Sequence, residues 1–280
     1  MNSRRDFLKI SALASASMMM PNFLSGLGKK TFAADGRKLV VIQLSGGNDG
    51  LNTIVPYADD LYYNARPSLS FRENDLIRLD DHFGFNPALE SIGGLFDAGE
   101  MSVLNSVGYP NPNRSHFRSM DIWHSGSGSD EYWDSGWLGR YLDNSCSGCA
   151  QPHKLVEIDD TLSLAVKGRD SKGMATQDPK RLFRATQDPW LRHLAEQRQT
   201  SAAQGHAELD YLYKTLTETV HSAEYLHEKS RTFRANNQYP ANQFGKKMRL
   251  IAELIISGVE TSVFYVSLSG FDTHIRQKAA

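Results

Sequence analysis

Net charge is almost missing from this chain, because 31 Lys and Arg stand against 32 Asp and Glu for a formal charge of -1. That balance removes the electrostatic ground for a nucleic acid or an anionic membrane surface as partner. Cysteine is scarce as well: the only two are Cys146 and Cys149, in the run Cys146-Ser147-Gly148-Cys149. The pair follows an expected helix rather than opening one, which argues against a thioredoxin-like redox motif. A structural zinc would need two further ligands, and only His153 is close in sequence. In an oxidising compartment the ordinary state of such a pair is a tight surface disulfide. Phosphate-cradling motifs are missing too. Ser45 to Asn52 lacks the Gly-Lys-Ser/Thr ending of a P-loop and the third Gly of a dinucleotide fingerprint. No internal repeat or domain linker is evident.

The first residues do carry a signal. Ser3-Arg4-Arg5-Asp6-Phe7-Leu8-Lys9 reads as a twin-arginine export signal, followed by a weakly apolar run from Ile10 to Met20. That run is too short and too rich in Ser and Ala for a membrane span, which takes about 20 apolar residues, and no later run is long enough either. Thr31 and Ala33 are small at the places a signal peptidase reads, so residues 1–34 are set apart as a signal and the product is expected to be periplasmic or extracellular. What remains, about 246 residues, is enough for one α/β domain over residues 35–280 with a buried core.

Two apolar strands far apart in sequence run into nearly the same phrase. Leu39 to Leu44 leads into Ser45-Gly46-Gly47-Asn48-Asp49, and Val263 to Leu268 leads into Ser269-Gly270-Phe271-Asp272-Thr273-His274. Continuous apolar runs of this kind suit strands of a parallel sheet, and ligands bind such sheets beyond the carboxyl ends of their strands. Asp49, Asp272 and His274 are therefore the candidate metal ligands, since carboxylate and imidazole suit Zn²⁺, Mn²⁺ or a similar divalent ion. The competing account of the first phrase is a plain turn whose Asn and Asp bond local backbone.

Further elements follow the same alternation. Asn86-Pro87 is an N-cap followed by Pro, opening a helix to about Ala98, and a strand is expected over Met101 to Val107. Another strand is expected over Lys154 to Ile158, a long amphipathic helix from Gln204 to about Ala235, and a helix from Pro240 to Ser257. His221 and His227 on the long helix read as helix-surface groups. The Gly/Ser run Ser125 to Asp130 reads as a mobile loop with Trp123, Trp133 and Trp137 packed around it. Arg114, Ser115 and His116 sit in a loop-to-helix turn that could hold an oxyanion, with Ser115 a nucleophile or simply the N-cap. His124 and the pair Asp81 and His82 are weaker site candidates.

Taken together, Arg4-Arg5-Asp6-Phe7-Leu8-Lys9, Ser45-Gly46-Gly47-Asn48-Asp49-Gly50-Leu51-Asn52, Arg114-Ser115-His116-Phe117, Gly136-Trp137-Leu138-Gly139-Arg140-Tyr141-Leu142-Asp143 and Gly270-Phe271-Asp272-Thr273-His274 resemble the exported family called domain of unknown function 1501. That family in turn resembles the alkaline phosphatase and sulfatase superfamily. The resemblance implies an alkaline phosphatase-like α/β fold, a mostly parallel sheet flanked by helices. It also implies a divalent-metal hydrolase of small-molecule or polymer esters of phosphate or sulfate. Asp49 would be the first-strand ligand, Asp272 and His274 a later pair, and Arg114, Ser115 and His116 the catalytic turn. It further implies a chain truncated at its C-terminus, since family members continue to a Thr-Asp-His-Gly motif that would complete the metal site. The alternatives are a non-catalytic exported binding protein and an inactive truncated member.

Overall fold

The computed structural model describes residues 36–145, 151–197, 207–274 and 277. The segment expected to be a signal, residues 1–34, and the Cys146/Cys149 pair lie outside them. Four strands form a parallel sheet in the order β1 (Leu39–Leu44), β7 (Val263–Leu268), β5 (Leu155–Glu157), β6 (Met174–Ala175). Their register aligns Leu39 with Val263 and Leu155, and Val41 with Tyr265 and Glu157. Side chains alternate faces along a strand, so these sets share one side while Val40, Phe264 and Val156 share the other. An α/β fold with an all-parallel sheet is thus present.

Each face has its own core, as a parallel sheet requires. On one side Leu155, Val263 and Tyr265 pack with Leu138 and Leu142 of helix α5 (Trp137–Ser145) and with Ala165 and Val166. On the other, Val156, Phe264 and Val266 meet Leu226 of α8 (Ala207–Thr232) and Ile251 and Leu254 of α9 (Gln243–Ile256). Phe264 and Val266 are fully buried, and each such side chain contributes about 1.5–3 kcal/mol. Asn242 caps α9 by accepting the Gly245 N–H at 2.7 Å. No helix among the described residues is long and apolar enough to cross a membrane.

A smaller antiparallel sheet, β2 (Ile54–Val55), β4 (Gly84–Phe85) and β3 (Ile77–Arg78), sits after the first strand with its own cluster of Val55, Tyr57 and Tyr62. Between its strands lies α2 (Asp60–Ala65), capped by Asp59. Buried Asn52 ties this unit to the β1 turn: its amide donates to the Leu69 carbonyl at 3.0 Å and its oxygen accepts the Tyr62 hydroxyl at 2.8 Å.

Two expectations need correction. The expected strand Met101 to Val107 has no ladder partner among the described residues; Ser106 adopts φ +59, a left-handed conformation that ends any extended run, and Leu104 and Val107 are about 60% exposed. The Gly/Ser loop after Trp123 is tied down rather than loose, because Arg118 Nη2 donates to the carbonyls of Gly128 and Ser129 at 3.3 and 3.0 Å, and to that of Glu131. Around it Trp123 meets Tyr109 edge to face and Arg140 lies over the Trp133 ring, so packing is present although Trp123, Trp133 and Trp137 stay 41–49% exposed. The helix expected from Pro87 to about Ala98 is found, its first turn, Pro87–Leu89, being 3₁₀ and running directly into α3 (Glu90–Asp97).

Candidate metal centre

Beyond β1 and β7 the chain turns twice on glycine, and the two turns meet. Gly46 has φ +110, and a Cβ there would lie 2.8 Å from the Asp272 backbone nitrogen. Only glycine combines that backbone conformation with that approach. Gly46→Ala is therefore expected to lower stability by about 1–3 kcal/mol and to displace Asp272, read as a lower urea midpoint together with weakened metal binding. Unchanged melting with intact metal binding would refute this account of the turn.

The Gly46 turn leaves room for His116, the first residue of α4 (His116–Ser125), whose ring reaches toward Gly47. Asp272 Oδ1 lies 2.6 Å from His274 Nε2 and 3.5 Å from His116 Nε2. One ligand atom from each of the three falls within 4.8 Å of the others. Tetrahedral bonds of about 2.0–2.1 Å would set neighbouring donor atoms about 3.3 Å apart. The His116 contact already has that spacing, and the His274 contact has to open slightly. His274 holds φ +38, a conformation uncommon for a residue other than glycine and frequent at functional turns. All three side chains are about half exposed or more, which leaves open coordination positions. The donor set therefore fits a borderline divalent ion.

These groups line a cleft of about 610 Å³ together with Gly46, Asp49, Arg66, Ser68 and Thr273. The Asp49 carboxylate faces it too, but outside the cluster, where Arg66 Nη1 donates to its Oδ2. Of the residues expected from sequence, Asp272, His274 and His116 are brought together, and Asp49 is placed at the same cleft. Arg114 and Ser115 are exposed and do not line it; Ser115 is the N-cap of α4, its Oγ accepting the Arg118 N–H at 3.5 Å. Asp81 pairs with Arg78, and His227 stacks on Phe183 with centroids 4.4 Å apart.

His124, eight residues along α4, has a different task. Its Nε2–H donates to Gln43 Oε1 at 2.9 Å, and the buried Tyr265 hydroxyl donates to the same oxygen. Burial lowers the His124 pKa, which keeps the ring neutral in this role. The contact pins the C-terminal end of α4 to β1 and β7, while His116 projects from the opposite, N-terminal end of the same helix. Sequence reading missed Arg66, Gln43 and Tyr265. A polar Gln43 within an otherwise apolar strand was the one signal present. Scans against protein-family models, curated proteins and solved structures found no match for this chain.

Proposed function

We propose that the chain is an exported, metal-dependent hydrolase of phosphate or sulfate esters, with Asp272, His274 and His116 as the metal ligands. The observation that carries this reading is the convergence of these three groups at the strand ends, in a cleft open to solvent. A divalent ion there would polarise an ester oxygen and lower the pKa of bound water. Asp272 would supply the ligand charge, and both imidazoles would bind in neutral form. The nucleophile in this reading is water, since Ser115 lies off the cleft. Export rests on the twin-arginine run at Arg4 and Arg5.

The test is hydrolysis of a panel of aryl phosphate and aryl sulfate monoesters by the Zn- and Mn-loaded chain. Activity should vanish with a chelator and return on metal addition. Full activity in the metal-free protein would sink the reading. One observation favours a non-catalytic binding role instead: Phe117 and Tyr132, both near the Trp-bearing loop in sequence, are 86% and 80% exposed. Rings so exposed suit a partner or glycan surface. Glycan binding by a chain that hydrolyses no ester would support that reading.

A further inference from the structure

We infer that Arg66, with Asp49 as its counter-charge, is the anion-recognition residue of the cleft and selects a tetrahedral oxyanion such as the phosphate or sulfate group of an ester. This rests on the metal-site reading above and extends it to the other wall of the same cleft. Arg66 follows the last turn of α2, where its N–H donates to the Tyr62 and Tyr63 carbonyls at 3.1 and 3.3 Å. Its own carbonyl accepts the Leu69 and Ser70 N–H groups at 3.1 and 2.9 Å. The backbone is thus held from both sides, and Asn52 holds Leu69 in turn. The guanidinium is about one-quarter exposed, and among the described residues its one hydrogen-bond partner is Asp49.

A guanidinium carries five N–H donors in a planar fork that matches two oxygens of a phosphate or sulfate. One donor spent on Asp49 fixes the fork against the cleft wall and leaves the remainder for a ligand, the preorganisation that makes such recognition effective. Among the described lining residues the carboxylates are Asp49 and Asp272 and the one guanidinium is that of Arg66. A bound divalent ion would add positive charge to the same cleft as Arg66. An anion is therefore expected to bind more tightly with the metal present, its oxygens accepting from the Arg66 guanidinium. Arg114, which the sequence pattern favoured for this task, does not line the cleft.

The test uses the full 280-residue chain with inorganic phosphate as the probe and sulfate in parallel. Titration calorimetry is run with and without Zn²⁺, and Zn²⁺ affinity is measured on the same samples. Arg66→Ala should weaken phosphate binding about 10-fold or more, the loss of a bidentate charge-assisted pair, with Zn²⁺ affinity unchanged. Arg66→Lys should recover only part of it, and Arg72→Ala, an exposed arginine of the same segment, should bind as the parent does. Retained Zn²⁺ affinity shows that the variant is folded at the site. Phosphate binding unaltered in Arg66→Ala, a loss confined to Arg114→Ala, or no phosphate binding by the parent in either state overturns the assignment. If Zn²⁺ fails to bind while phosphate binding still depends on Arg66, the metal reading falls and this one stands.

Discussion

Replacing Asp272 by Ala should lower Zn²⁺ affinity at least about 100-fold, and His274→Ala or His116→Ala about 10- to 100-fold each, whereas Asp49→Asn should leave it within about threefold. Even outer partners of metal ligands are worth about 10–100-fold, so a ligand lost outright should reach or exceed that range. The ranking follows from geometry. Asp272 Oδ1 is the atom on which both imidazoles converge, at 2.6 and 3.5 Å. Its loss removes the carboxylate charge and the centre of the cluster together. Asp49 spends its carboxylate on Arg66, and its neutral isostere keeps an oxygen for that donor. Competition titration against a chromophoric chelator reads all four variants. A large loss in Asp49→Asn with none in His116→Ala would reverse the assignment and restore the set suggested by strand ends alone.

Much of the frame around this site is legible in the sequence, and part of the site is not. The two strand-end phrases after Leu44 and Leu268 were legible because both follow apolar runs that stop at a glycine turn; the Val263–Leu268 run is largely buried, whereas Leu39–Leu44 lies at the edge of the described sheet with Ile42 and Leu44 exposed. The strand at Leu155–Glu157 and helices α8 and α9 were legible from the same periodicities, with ends within a few residues of those found. Met101 to Val107 has the composition of a strand, yet composition does not reveal that Ser106 takes a left-handed conformation. At the site, His116 stands next to Ser115 and Arg114 in sequence, so adjacency suggested one catalytic unit. The helix start separates them, with His116 turned into the cleft and Ser115 spent on capping. Arg66 gave no local sign at all, since its partner Asp49 lies 17 residues away across a short strand and two short helices. Tertiary placement, rather than residue type, decides such roles.

Glu157→Gln should stabilise the protein by up to about 3 kcal/mol at pH 8 and by almost nothing near pH 4.5. Glu157 is 3% exposed on β5, beside Tyr265 of β7. Burial is the main cause that pushes its carboxyl up to about 7, against an ordinary 4.5; nearby Asp159 adds to this, while the Ser163 N–H bond at 2.7 Å and Lys247 oppose it. Below pH 4.5 folded and unfolded chains both hold the proton, so the group imposes no ionisation cost. Between pH 4.5 and 7 the unfolded chain releases it while the folded chain keeps it, so unfolding sheds a proton and stability falls as pH rises. Above pH 7 the folded state carries a buried carboxylate and the penalty is complete, about 1.4 kcal/mol for each pH unit of displacement. Glutamine keeps an oxygen for the Ser163 N–H and has no charge to bury. Urea unfolding of parent and variant from pH 4.5 to 8.5 therefore should give curves that coincide at the acid end and diverge through neutrality. A constant offset across that range would mean that Glu157 ionises normally and that its burial is offset by partners beyond Ser163 and Lys247.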